Sequence, residues 1–354
     1  MKRLIPLLWL LSLAACGKQF QHIPAAAGSG TPPRAAEAPI SFEAYTVTGP
    51  YTHENLAVFL IHQADASQDD MNCLTLEEAL REDKVRVTEK SDGAQVNALE
   101  VENTGDRPVY LQAGDTVKGG QQDRTIAVDF IIPPKSGKIE VNAFCVEPGR
   151  WAVRTASATG SGPMMGATFA LAPAPVATKE QKLAIKGEKN QSEVWEAGRK
   201  VNQAFSKLDG SASPVDSYVL ATDEPRVRED VAAYEDVLGK LTDGKIDVVG
   251  MAFAINGEMN TVELYPTAGL FRKLWPKLLR GCSLEATAKR SDRPMDKEAK
   301  VSEIQVLMAE AAKAEEKAET LSGGIVSRTR DGKRAVLFDT EKDGKILHRQ
   351  IILK

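Results

Sequence analysis

Three features of the sequence predict an α+β fold. Between residues 55 and 155, apolar segments of strand length alternate with turn chemistry. Between 187 and 241, apolar residues recur at helical spacing instead. Residues 325–353 carry two Asp-Gly dipeptides between alternating runs, the signature of tight hairpin turns. The expected architecture is an antiparallel, β-sandwich-like N-terminal half, followed by helices packed on further antiparallel strands.

The chain begins with basic residues, Lys2 and Arg3, then the apolar run "LIPLLWLLSLAA" ending at Cys16. Twelve residues make a helix of about 18 Å, short of the roughly 30 Å hydrocarbon core of a bilayer. Residues 1–15 therefore read as an export signal rather than a spanning segment. Leu13-Ala14-Ala15-Cys16 resembles the lipobox of bacterial lipoproteins, which implies acylation of Cys16 and anchoring in a lipid bilayer. Gly17, where an aspartate would favour inner-membrane retention, points to an outer-membrane lipoprotein facing the periplasm or the cell surface.

Residues 16–39 are rich in Ala, Gly and Pro and poor in bulky apolar side chains, so burial cannot offset their ordering entropy, and they read as a flexible tether. Residues 40–354 are expected to form a single α+β domain, β-rich over 40–155 and mixed over 181–354. The full chain holds 45 Lys and Arg against 49 Asp and Glu. Removing Lys2 and Arg3 with the leader leaves 43 against 49, a charge of −6 that speaks against nucleic acid as a partner. Three further cysteines, Cys73, Cys145 and Cys282, allow at most one bridge within the chain.

Taken in order, "NLAVFLIHQ" predicts a buried strand, "TLEEAL" a short helix and "KVRVTE" a strand with its valines on one face. "ALEVEN", "PVYLQAG", "TIAVDFII" and "KIEVNAFCVE" continue the strand series, with Ile139, Val141, Ala143 and Cys145 facing inward and Glu147 following them. Residues 156–180 read as a long loop or hinge. Gln191, Val194, Val201, Phe205 and Leu208 mark one helix, and Val227, Val231, Tyr234, Leu238 and Leu241 another. "KIDVVGMAFAIN" and "NTVELYP" predict a strand pair, "TAGLFRKLWPKLL" a helix kinked or divided near Pro276, and "SLEATAK" a strand. Residues 295–320 predict a helix with Val301, Ile304, Met308 and Ala311 on its buried stripe, before a three-stranded meander.

Several common chemistries lack their residues. The four histidines form no H-E-x-x-H or paired-cysteine spacing, so no metal site is expected, and no cofactor either. Neither a G-x-S-x-G elbow nor a G-x-x-x-x-G-K-[ST] phosphate loop is present. Cys145, on an apolar strand face, reads as an inert core thiol, and His348 as a hydrogen-bonded structural histidine.

Polar residues do gather at predicted strand ends. "GDTVKGGQQDR" supplies Asp115, Gly119, Gly120, Gln122, Asp123 and Arg124; "CVEPGRW" supplies Glu147, Arg150 and Trp151. Two arrangements are open. Arg124 or Arg150 pairs with Glu147 or Asp123 and holds neighbouring strands in register. Alternatively the same groups face a cleft, with glycine N–H groups and the Trp151 face available to a small polar or anionic ligand.

The segments "VNALEVENTGDRPVYLQAGDTVKGGQQDR", "VNAFCVEPGRW", "QSEVW" and "GMAFAINGEMNTVELYPTAGLFRKLWPKLL", in this order, resemble the ADP-ribosylglycohydrolase and rhodanese-phosphatase associated protein family over about residues 40–354. Gly120, Gln122, Asp123 and Arg124 carry one motif, Cys145 to Trp151 a second, and Gln191, Val194 and Trp195 a third. The resemblance implies a single domain and a context of ADP-ribose and phosphate esters. It supplies no catalytic residues. Asp115 stands where the family pattern has glutamate, and export is at odds with a cytosolic NAD-salvage role.

The expected function is accordingly a lipid-anchored envelope module that binds a small ligand or interacts with another, unknown, protein. The putting together of binding candidates gives Asp115, Gly119, Gly120, Gln122, Asp123, Arg124, Glu147, Arg150, Trp151, Gln191 and Trp195. One alternative is an enzyme on a nucleotide-sugar, ADP-ribose-like or phosphoester substrate, with Glu147 or Asp123 as general acid or base. A further alternative is a structural envelope scaffold.

Overall fold

Strand-forming segments from both ends of the chain meet in one sheet. The computed structural model describes residues 37–354 apart from 43, 91–94, 96, 150–167, 210–216 and 292–296. Cys16, Arg150 and Trp151 therefore lie outside the described residues. The first elements are β1 (Glu37–Phe42), β2 (Tyr45–His53), β3 (Leu56–Gln63), β4 (Leu74–Thr75) and α1 (Leu76–Arg81). Thr75 caps α1 and Glu78 returns the bond to the Thr75 N–H, a capping box that fixes where this short helix starts.

Then come β5 (Val85–Thr88), β6 (Ala98–Asn103), β7 (Val109–Leu111), β8 (Asp115–Gly119), β9 (Arg124–Ile126), β10 (Phe130–Ile132), β11 (Lys138–Cys145) and β12 (Phe169–Val176). The run "TIAVDFII" is thus two strands in different sheets, split at Ala127–Asp129. The expected loop at 156–180 contains a strand, β12. Pro173 and Pro175 hid it, and they fall within the register shift between Leu171 and Val176, where β12 makes no ladder with β8.

The helical stretch follows: α2 (Lys179–Leu183), a π-helical turn (Ala184–Glu188), α3 (Gln191–Asp209), α4 (Tyr218–Thr222) and α5 (Pro225–Leu238). After β13 (Val248–Ile255) and β14 (Glu258–Leu264), α6 (Ala268–Ala288) runs unbroken through Pro276 and absorbs "SLEATA", which the sequence suggested was a strand. Those residues are helical because Cys282, Leu284 and Ala286 extend the buried side of α6. α7 (Val301–Ala311) carries the expected stripe, but residues 316–320 are not helical; they form β15 (Glu316–Thr320), an edge strand with every side chain exposed. β16 (Ile325–Asp331), β17 (Ala335–Lys342) and β18 (Lys345–Leu353) make the meander, and Asp343 and Gly344 both take positive φ at its second turn.

The large sheet has nine antiparallel strands in the order β1-β2-β3-β13-β14-β18-β17-β16-β15. One face packs against α5 and α6 through Tyr234, Phe271, Trp275 and Leu278; the other lies under α7 through Ile304 and Leu307. A six-stranded sheet, β12-β8-β9-β11-β6-β5, curls so far that a bridge between Thr88 and Thr168 joins its two edges. Leu99, Val101, Val117, Ile126 and Val141 fill this barrel. The short sheet β10-β7-β4 lies beside it, and Tyr110 of β7 reaches the core of the large sheet.

The barrel seam explains the paired glycines. Gly120 has φ +50°, and a Cβ there would stand 2.4 Å from the Phe169 ring and 2.5 Å from a Glu89 carboxylate oxygen. Gly120→Ala is expected to cost about 1–3 kcal/mol from overpacking, read as a lower urea midpoint with an unchanged slope; an unaltered midpoint would show that the seam tolerates the methyl group.

Candidate functional site

Four of the predicted polar residues, Gln122, Asp123, Arg124 and Glu147, come together in a buried knot at the barrel seam. Arg124 is fully buried, and it donates to the Gln122 carbonyl at 3.2 Å and to the Gln95 carbonyl at 3.4 Å. Its ion-pair partner is Glu89, at 3.5 Å. For Arg124, Glu89 stands in place of the expected Glu147 or Asp123, since Arg124 sits opposite Cys145 in the β9–β11 ladder and Glu147 lies past the strand end. The alternative through Arg150 falls outside the described residues. Glu89 also accepts the Gln121 N–H at 3.0 Å, so it locks the turn that carries the arginine.

Asp123 accepts from the Gly119 N–H at 3.0 Å and from the Ser217 hydroxyl at 3.2 Å. Glu147 accepts from the Asp123 N–H at 3.4 Å, and its carbonyl takes the Gln122 side-chain amide at 2.9 Å. Gln191, the first residue of α3, holds both backbone groups of Cys145, at 3.0 Å and 2.7 Å, and so fixes the helix to the end of β11. Trp195 is half-buried one turn on, with its indole beside the Cys145 thiol; burial pushes that thiol up nonetheless. Cys73, Cys145 and Cys282 are all free and buried. Gln122, Asp123, Arg124 and Glu147 are likewise buried, while Arg150 and Trp151, the other members of the predicted motif, lie outside the described residues.

Asp115 belongs elsewhere. It pairs with Lys277 of α6 at 2.5 Å and accepts the Gln112 N–H at 2.9 Å. The Gln112 side chain donates to the Tyr265 hydroxyl at 2.9 Å, and Tyr265 donates to Glu263 at 3.3 Å. Here the chain of hydrogen bonds enters a buried ionic cluster. His348 of β18 bonds Glu263 of β14 at 2.5 Å through Nε2, and Asp129 of the β9–β10 connection at 2.9 Å through Nδ1. Its ring stacks on Tyr265, 4.8 Å between centroids. Lys182 of α2 pairs with Glu263 at 2.9 Å; Tyr110 and Thr340 donate to Asp129 at 3.1 Å and 2.7 Å.

Burial alone would neutralise these groups, yet their neighbours outweigh it for the central three. His348 is held above its ordinary pKa by Asp129 and Glu263 despite desolvation. Both carboxylates are held well below the usual range, Asp129 by His348 and Lys186, Glu263 by Lys182 and His348. His348 is thus an imidazolium that donates on both sides. The carboxylates can be matched one to one with cations, Lys277 for Asp115, Lys182 for Glu263 and His348 for Asp129, although His348 is shared with Glu263, its nearer neighbour at 2.5 Å. Lys186 is the surplus. It stands 3.8 Å from Asp129 and 5.0 Å from the centroid of the Phe338 ring.

Lys186 also borders open space. The π-helical turn carries it, and the turn ends at Lys189 in the left-handed conformation, φ 51°; such wide turns and off-region residues are concentrated at functional sites. A cavity of about 460 Å³ lies between this turn, the barrel strands and the β15–β17 region, bordered by Lys186, Lys189, Asn97, Asn142, Phe144 and Ser327, with Thr340 and Gln191 at its margin. A second, of about 680 Å³, shares Lys186, Lys189, Glu319 and Ser327 with it. Lys189 and Glu319 form an exposed ion pair bordering both cavities. Among the described residues, Gln191 is the predicted binding residue that borders either cavity. Among the described residues no group of three or more His, Cys, Asp or Glu is arranged to hold a metal ion.

A family model described as "ARG and Rhodanese-Phosphatase-superfamily-associated Protein domain" (ARPP-1) matches residues 44–352. The chain belongs to this family. No curated protein and no solved structure matches it. The ARPP-1 match takes in all the helices and every strand except β1 and the last residue of β18, so the seam knot and the buried cluster both lie within the family's domain.

Sequence reasoning had missed Glu89, Asp129, Lys182, Lys186 and Glu263. The signal was present in part: Asp129 interrupts an apolar run, and Lys182 and Lys186 are four apart, on one helical face.

The cluster makes a pH prediction. His348, with its pKa raised on folding, stabilises fully below its unfolded value of about 6.5, and that contribution is lost as pH rises through the folded value. Asp129 and Glu263, with lowered values, stabilise above about 4 and lose their contribution as pH falls through their folded values. The stability gap between the unaltered protein and His348→Gln should be widest between about pH 4.5 and 6.5 and narrow at alkaline pH. Urea midpoints from pH 4 to 10 measure it; a gap that widens toward alkaline pH contradicts the charge assignment.

Proposed function

We propose that the protein is a lipid-anchored envelope module that binds a small polar anion in the cavity beside Lys186. The observation that carries this reading is the charge balance: Lys186 is a buried cation whose nearest carboxylate already has a closer partner, and it borders a cavity. Its contacts, Asp129 at 3.8 Å and the Gln350 side-chain oxygen at 3.5 Å, are both long, and a weakly compensated buried charge is costly, so an entering anion is favoured. A volume of about 460 Å³ falls in the range of small-molecule sites. The wall is suited to a ligand that is hydroxylated as well as charged, since Asn97 and Asn142 are exposed within it and Phe144 offers a half-buried aromatic surface. A sugar phosphate or nucleotide fits that description, in keeping with a family described by its association with ARG and rhodanese-phosphatase proteins.

The anchor is supported by the leader and the position of Cys16, with Gly17 favouring the outer membrane. No helix among the described residues is long and apolar enough to cross a membrane. In cells fed labelled palmitate, the protein should take up label and the Cys16→Ser variant should not; equal labelling of the two would remove Cys16 as the acylation site.

Binding is measured by thermal melts of the detergent-purified full chain against NAD, ADP-ribose and sugar phosphates. A ligand at a hundredfold its Kd should stabilise by about 2.7 kcal/mol, and Asn142→Trp, which fills the cavity from an exposed strand position, should abolish the shift without lowering the unliganded Tm by more than a few degrees. Flat melts across the panel would count against the site.

A further inference from the structure

A surplus buried cation is relieved in two ways: an anion enters, or the amine sheds its proton. The second leaves a nucleophile. We infer that Lys186 is a carbonyl-reactive lysine, and that the cavity takes a small anionic aldehyde or keto acid which it holds as an imine; this rests on the binding site proposed above.

Four observations converge on this residue. Its side chain is only 6 % exposed, yet it borders both cavities. With Lys186 neutral, the cluster balances pair by pair: Asp115 with Lys277, Glu263 with Lys182 and Asp129 with His348. Burial, aided by the nearby cation Lys182, lowers the amine's pKa despite Asp129 and Glu263. Desolvation and a neighbouring cation are the two means by which lysines are made nucleophilic at moderate pH. The π-helical turn, closed by the left-handed Lys189, carries Lys186 along the cavity wall, with its amine against Asp129, Gln350 and the Phe338 ring.

The step balances without an oxidant or reductant. The lone pair of Nζ adds to the carbonyl carbon while the C=O π electrons move to oxygen. A proton passes from nitrogen to that oxygen, a second leaves nitrogen with it, and water departs as the C=N bond forms. Thr340, bordering the cavity and 2.7 Å from Asp129, is placed to relay a proton. Lys189, exposed on the rim beside Glu319, is placed to meet the ligand's anionic group.

The test uses the full chain in mild detergent with pyridoxal 5′-phosphate as an anionic aldehyde probe, cyanoborohydride to fix imines, and peptide mapping by mass spectrometry. A lowered pKa raises an amine's free-base fraction at a given pH, so Lys186 should label faster than the surface lysines despite its burial. Its rate should also level off at a lower pH than theirs. Lys186→Met should remove that one adduct and leave the remaining labelling in place. Should that variant not fold, Asn142→Trp provides the second check, because filling the cavity should suppress the Lys186 adduct alone. Pyridoxine 5′-phosphate, which lacks the aldehyde, separates the two ideas. If it raises the Tm while Lys186 stays unlabelled, the imine is overturned and the binding site stands. If it has no effect on the Tm and label spreads evenly over surface lysines, both are overturned.

Discussion

The bond pair from His348 to Asp129 and Glu263 is the constraint on which the rest of the arrangement depends. Glu263 and His348 lie on the neighbouring strands β14 and β18 of the nine-stranded sheet, while Asp129 comes from the connection between β9 in the barrel and β10 in the small sheet. One imidazolium therefore joins all three sheets, through two charge-assisted bonds in a site with no exposure. Such a joint is directional where apolar packing is not. It sets how far β18 can slide, since a shift of one residue would turn His348 to the α7 face and bring an apolar neighbour against two carboxylates.

The seam knot does the same work locally for the barrel. A six-stranded sheet that closes on itself must bring β5 and β12 together, and the Thr88–Thr168 bridge is short. Glu89, one residue beyond β5, reaches across to the Gln121 N–H and Arg124, so the closure is reinforced by an ion pair inside the barrel end. Gly119 and Gly120 permit this because their missing side chains leave room for the Thr168 carbonyl and the Glu89 carboxylate. The glycine-rich motif thus has a mechanical reason to exist.

This division explains what was legible in the sequence. Periodicity located most strands and the long helices, because Val85 and Val87, or Val194 and Phe205, reveal which side is buried. It failed where a local signal was overridden: "SLEATA" is helical because α6 has a continuous buried side, and β12 survives two prolines by breaking its ladder there. The candidate site was legible only as a collection of polar residues. Which acid meets which base depends on strand order, and Glu89 reaches Arg124 across 35 positions of sequence that no spacing rule connects. Asp115 shows the limit most plainly, since its partner Lys277 comes from a helix 162 residues away.

Charge arithmetic links the buried cluster to the cavity. Asp115, Asp129, Glu263 and Asp339 face Lys182, Lys186, Lys277, His348 and Arg349, with Asp339 taken by Arg349, which leaves one positive charge, and geometry decides where it resides. It cannot rest on Lys277 or Lys182, which are within 2.9 Å of their carboxylates. It falls to Lys186, the member farthest from its acid and the one that borders open space. A core that needed only rigidity would be served by matched pairs, and replacing such pairs with apolar side chains is often neutral or stabilising. An unmatched lysine at the edge of a cavity carries a cost that a ligand can remove, and on that ground we propose the site at the π-helical turn and not at the more conspicuous glycine-rich motif.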